Sequence, residues 1–98
     1  KKMSLKKAVL EKRREIQDLC RKHGAYNIRL FGSAARENDD EKSDIDFLVE
    51  LEGGRTLFDL GGLQQELQAL LLKPVDVVTE KSILPSKKNR ILKEAIFL

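Results

Sequence analysis

Residues 29 to 51, "RLFGSAARENDDEKSDIDFLVEL", decide how this chain is read. Each end is a short apolar run rich in β-formers, and each predicts a strand: "YNIRLF" from Tyr26 to Phe31, and "IDFLVEL" from Ile45 to Leu51. Gly32 stops the first, "SAARE" predicts one or two helical turns from Ser33, and the polar "NDDEKS" predicts an exposed loop. Asp44 and Asp46 stand at the entrance of the second strand. Side chains alternate along a strand, so both carboxylates fall on one side, roughly 7 Å apart along the backbone. Two like charges that close raise each other's pKa, and burying either without a partner is costly. The rest of the sequence has to supply that partner.

Outward from this stretch the pattern is helix, then strand, repeated. Ser4 is a candidate N-cap and Gly24 a candidate C′ residue for one N-terminal helix, with Leu5, Val9, Ile16, Leu19 and Cys20 near helical spacing. Gly53 and Gly54 end the second strand. "LFDLGGLQQELQALL" predicts a helix with Leu60, Leu63, Leu67, Leu70 and Leu71 on one stripe, its Gly61–Gly62 pair costing about 2 kcal/mol of helix propensity. Pro74 closes that region, and "VDVVT" predicts a third strand. "SKKNRILKEA" predicts a last helix with Ile91, Leu92 and Ala95 inward, and "IFL" a short strand or edge. The order αβαβαβα gives the α/β (α+β) class, a small mixed β-sheet flanked by helices. The chain of 98 residues is read as one domain, residues 1–98, with an N-terminal helix over 1–24 and a core over 26–98.

Composition narrows the functions. The net charge is +3, and the basic excess lies near the N-terminus, interrupted by glutamates and with few aromatics. That describes a solvated helix face and disfavours nucleic acid as a partner. Met3 is read as a natural start, with Lys1 and Lys2 preceding it as additions. Cys20 is the single cysteine and His23 the single histidine, which excludes an intramolecular disulfide and a zinc site of ordinary composition. No apolar run approaches a membrane span, and no signal-peptide pattern opens the chain, so a cytoplasmic location without membrane attachment is expected.

A third aspartate, Asp76, sits inside "VDVV" with a valine on each side. If the three strands are neighbours, Asp44, Asp46 and Asp76 converge. Oxygen-only donors of this kind suit a hard divalent cation, Mg²⁺ or Mn²⁺. "NDDEKSDID" lacks the Gly turn and distal Glu of a calcium loop, so Asp39, Asp40 and Glu41 are read as solvated surface. Gly32 removes a side chain where the backbone must turn, Ser33 brings a hydroxyl to the first turn of the helix, and Arg36 adds a cation to the same rim. No Gly-Lys-Ser/Thr follows, so this is not a Walker A loop. Beside metal-binding carboxylates, Gly32, Ser33 and Arg36 read as a cradle for a nucleotide triphosphate.

"GS", ten residues, then "DID", with a later Asp in a strand, resembles the nucleotidyltransferases of the DNA polymerase β superfamily. Among them the chain is most similar to the minimal nucleotidyltransferases, with the likeness running from about Tyr26 to Leu98. The resemblance implies that Gly32 and Ser33 hold the nucleotide phosphates, with Arg36 as the basic residue of the motif. It makes Asp44 and Asp46 ligands shared by two Mg²⁺ ions, with Mn²⁺ as an alternative. Asp76 becomes the third carboxylate and metal ligand, beside the attacking group. Many relatives place a glycine after the arginine, where this chain has Glu37. The implied reaction moves an NMP, AMP from ATP by family precedent, onto a hydroxyl and releases pyrophosphate.

Larger members carry added domains for the acceptor, for which 98 residues leave no room; that points to a partner protein. Minimal nucleotidyltransferases are often paired as antitoxins with HEPN toxins, whose tyrosine accepts the AMP. The alternatives are a non-catalytic nucleotide-binding antitoxin acting by contact alone and a small-molecule nucleotidyltransferase. The acceptor, the preferred base and whether the chain forms an oligomer stay open.

Overall fold

The computed structural model describes residues 4–38, 40 and 42–98. Ser4 caps the first helix as expected, its hydroxyl accepting from the Lys7 N–H at 3.2 Å. The N-terminal segment is two helices rather than one. α1 (Leu5–Glu11) and α2 (Arg13–Lys22) meet at Lys12, whose backbone (φ −104°, ψ 19°) leaves the helical region. Leu5, Val9, Ile16, Leu19 and Cys20 still reach the core, because the break leaves both apolar stripes facing the same way. Gly24 follows α2 with φ +74°, the left-handed conformation a C′ residue needs.

β1 (Ala25–Phe31) runs into α3 (Gly32–Ala35), which begins at Gly32, one residue before the expected Ser33. β2 (Ile45–Leu51), α4 (Leu57–Leu71) and β3 (Val75–Thr79) take the predicted bounds. A 3₁₀ turn (Glu80–Ser82) leads to α5 (Pro85–Glu94) and to β4 (Ile96–Phe97). Of the loop read as solvated surface, Asp40 is exposed, while Asp39 and Glu41, like Lys1, Lys2 and Met3, lie outside the described residues.

The strands form one sheet in the order β3-β2-β1-β4. β1 pairs antiparallel with β2 and β4, and β2 pairs parallel with β3, so the sheet is mixed. β2 is central, as its apolar residues on both faces require. On one face Ile45, Phe47, Val49, Leu30, Val75 and Val77 pack against Val9, Ile16 and Cys20 of the first two helices and Leu63 and Leu67 of α4. Burial pushes the Cys20 thiol up to about 12, which makes it a packing residue. Gly62 lets α4 approach α2: a Cβ there would lie 3.0 Å from the His23 ring. His23 ends α2 and pairs with Glu66.

The edge strand β3 is held from outside by α4. Gln68 Oε1 accepts from the Val75 N–H at 3.0 Å and Gln64 Oε1 from the Val77 N–H at 3.1 Å. These two bonds bracket Asp76. Covering an edge in this way also removes donors that would template pairing with another chain.

The second face of the sheet is of another character. Asp44, Asp46, Leu48 and Glu50 alternate onto it from the β2 segment, and Leu48 is fully buried. An extra residue in β1 between Tyr26 and Arg29, with Asn27 at φ +52°, shifts the register and aligns Arg29 with Leu48. Arg29 is buried, bonded to Asn27 O and Glu80 and 5.3 Å from the Phe97 ring centre. α5 spans this face from Lys88, 3.7 Å from Glu80, to Glu94 at Gly32. Ile91 is its buried residue; Leu92, expected inward, is 37% exposed because the helix presents a narrower stripe than its sequence suggests.

Candidate active site

Register brings the predicted carboxylates to one end of the second face. Phe31 of β1 is opposite Asp46 of β2, and Asp46 is opposite Asp76 of β3. Asp44 precedes Asp46 by two residues and shares its side of the strand. Asp46 is partly buried, whereas Asp44 and Asp76 are exposed. Burial pushes the Asp46 carboxyl up to about 6, and repulsion from Asp76 and then Asp44 adds to it; Arg36 pulls the other way and Glu94 adds a little more repulsion.

Gly32 is the residue this geometry depends on. Its φ is +77°, and a Cβ added there would run into Asp46 Oδ2. The turn therefore needs glycine twice over, for conformation and for space. Ser33 opens α3, and the buried Ala34 and Ala35 fasten that short helix to the core. Arg36 follows α3, with its side chain 46% exposed on the same rim.

Glu94, at the end of α5, was not expected in this site. Its Oε2 accepts the Gly32 N–H at 2.8 Å, and both its oxygens accept from Arg36 Nη1, at 2.9 and 3.0 Å. The sequence did hold one signal. Glu94 is an acidic residue in the last turn of a helix, where the macrodipole favours a cation, so it needed a partner elsewhere.

Glu37, where a glycine is usual, has φ +57°. This is the left-handed region that glycine enters freely and glutamate only with strain.

The donor set suits a divalent cation. The three aspartates offer only hard oxygens, and the raised proton affinity of Asp46 comes first from burial and then from the charges of Asp76 and Asp44, both of which a bound cation would offset. Among the described residues no group of three His, Cys, Asp or Glu side chains is gathered closely enough to hold an ion.

The nucleotidyltransferase domain family matches residues 12–98. The chain belongs to it. Its fold and sequence are those of a minimal nucleotidyltransferase. A solved structure described as a candidate minimal nucleotidyltransferase superposes with TM-score 0.86 and 42% identity, over 98% of this chain and 97% of that one. A candidate protein adenylyltransferase of Methanocaldococcus jannaschii is 48% identical over 90% of this chain and 95% of its own length. The protein adenylyltransferase MntA of Thermococcus cleftensis is 32% identical over 84% of this chain and 83% of its length. A crystal structure of the MntA–HpeT toxin–antitoxin pair matches with TM-score 0.70 and 25% identity, over 88% of this chain and 70% of that one. Nucleotidyltransferases of this family are enzymes that generally use divalent metals. Among the described residues no helix is long and apolar enough to cross a membrane.

Proposed function

We propose that this nucleotidyltransferase moves AMP from ATP onto a hydroxyl of a protein, the tyrosine of a HEPN-type toxin, and so acts as that toxin's antitoxin. The carrying observation is the pairing of Asp46 with Asp76 across adjacent parallel strands, beside the Gly32 turn. The relatives named as protein adenylyltransferases support the reaction class, and the toxin–antitoxin neighbour supports the kind of partner.

In this reading Gly32, Ser33 and Arg36 hold the triphosphate. Asp44, Asp46 and Asp76 would hold two Mg²⁺ ions, which neutralise charge on the phosphates and acidify the acceptor hydroxyl. Asp76 is exposed on the edge strand, and in this reading it would ligate a metal or take the proton of an incoming hydroxyl. The hydroxyl oxygen bonds to the α-phosphorus and the bond to pyrophosphate breaks. What the chain supplies is position and a prearranged field rather than covalent chemistry.

A second reading, neutralisation by contact alone, draws on Leu57 and Phe58, which are 81% and 92% exposed at the start of α4. One experiment separates the two. The protein is incubated with Mg²⁺, an extract of its host and ATP labelled at the α-phosphate, beside a γ-label control and an Asp44→Asn/Asp46→Asn control. A labelled protein band is expected only with the α-label and the native carboxylates. Its absence, with toxin neutralisation kept in the double variant, would replace the enzymatic reading by contact.

A further inference from the structure

We infer that Glu94 is a positioning residue for nucleotide binding: it fixes the Arg36 guanidinium and the Gly32 turn in the arrangement that receives the triphosphate. The inference rests on the reading of Gly32, Ser33 and Arg36 as the phosphate cradle and adds the residue that orders it.

Three features carry it. Glu94 is the ion-pair partner of Arg36 among the described residues, its own side chain 14% exposed and that of Arg36 46%, so the carboxylate is anchored in the packed edge while the guanidinium reaches solvent. The pair's energetic contribution to folding is small at such exposure, and what it supplies is a fixed end for a flexible side chain. The contact is end-on: Glu94 engages Nη1 alone, at 2.9 and 3.0 Å, and does not use the Nη2 and Nε donors of Arg36. The same carboxylate takes the Gly32 N–H at 2.8 Å, so one group ties the cation to the turn beside Asp46. The two ends of this tie are 62 residues apart in sequence, and it fastens α5 to the cradle.

The opposite role is a competitor, a carboxylate sitting where phosphate should sit. The two roles predict opposite signs. A positioning residue loses nucleotide affinity when neutralised, because Arg36 and the turn lose their anchor. A competitor gains affinity, because the anion it mimics no longer has to displace it.

The test is calorimetric titration with Mg²⁺ and a non-hydrolysable ATP analogue, on the wild type, Glu94→Gln, Arg36→Gln and the double variant, with thermal melting of each. Glu94→Gln is expected to weaken binding about tenfold, the size of one charge-assisted hydrogen bond. In the Arg36→Gln background the same change is expected to cost less than about threefold, since coupled residues are not additive. A merely structural Glu94 would lower melting temperature and weaken binding equally in both backgrounds, which would overturn the inference. Unchanged or tighter binding by Glu94→Gln would also overturn it, the latter in favour of the competitor. If Glu94→Gln fails to fold, Glu94→Asp replaces it: it keeps the charge but shortens the reach to the Gly32 N–H and to Arg36, so weaker binding is expected and unchanged binding would overturn the inference. No binding by the folded wild type would instead reject the nucleotide-cradle reading, so the two failures are distinct.

Discussion

The two faces of strand β2 differ in what each gives the molecule. Ile45, Phe47 and Val49 point to the face covered by the helices and are essentially fully buried. Asp44, Asp46, Leu48 and Glu50 point to the other, where Leu48 is also fully buried but Asp46 keeps its proton up to about pH 6 because burial and its neighbours disfavour the charge. The first face is packing throughout. The second mixes packing with a carboxylate whose charge is disfavoured, at a place where a cation would offset it.

Substitutions on the two faces should separate stability from activity. Asp46→Asn is expected to lower AMP transfer at least about a thousandfold, since several kcal/mol of charge stabilisation is lost. The measurement is labelled transfer from α-labelled ATP, and near-native transfer would break the contrast between the faces. Its neighbour on the buried face behaves in the reverse sense. Phe47→Ala is expected to cost about 3–5 kcal/mol in urea unfolding, because it opens a cavity beneath α2 and α4.

The pH dependence sharpens the contrast. The Asp46 carboxyl holds its proton more tightly folded than unfolded, so its contribution to stability is full below about pH 4 and is lost as the pH rises through about 6. Metal-free wild type should therefore melt lower at about pH 8 than at about pH 5, relative to Asp46→Asn, which lacks this titration. Parallel melting curves for the two proteins would show that Asp46 is not strained. The smallest effect is expected at the turn: Glu37→Gly should raise stability by up to about 1 kcal/mol by relieving the left-handed backbone, read from the same unfolding curves.

Most of the frame was legible in the sequence because local rules decided it. Alternation across "IDFLVEL", the Gly53–Gly54 stop and Pro74 set the bounds of β2, α4 and β3. The side of the strand taken by Asp44 and Asp46 followed from the same period of two, and register pairs Asp76 with Asp46. What escaped was non-local or too slight to leave a pattern. The break at Lys12 sits between two stripes that continue the same periodicity. Burial of Arg29 depends on a bulge at Asn27 and on Glu80 and Phe97, which only the folded sheet brings to it. Glu94 reaches Gly32 across most of the chain, and its one local sign was a charge opposed to its helix dipole.

The central claim is that the second-face carboxylates form a divalent-cation site, and the most direct measurement is electron paramagnetic resonance of free Mn²⁺ titrated with protein. The wild type is expected to deplete the free-ion signal, and the Asp44→Asn/Asp46→Asn protein to leave it nearly unchanged. Equal depletion by both proteins would contradict the account.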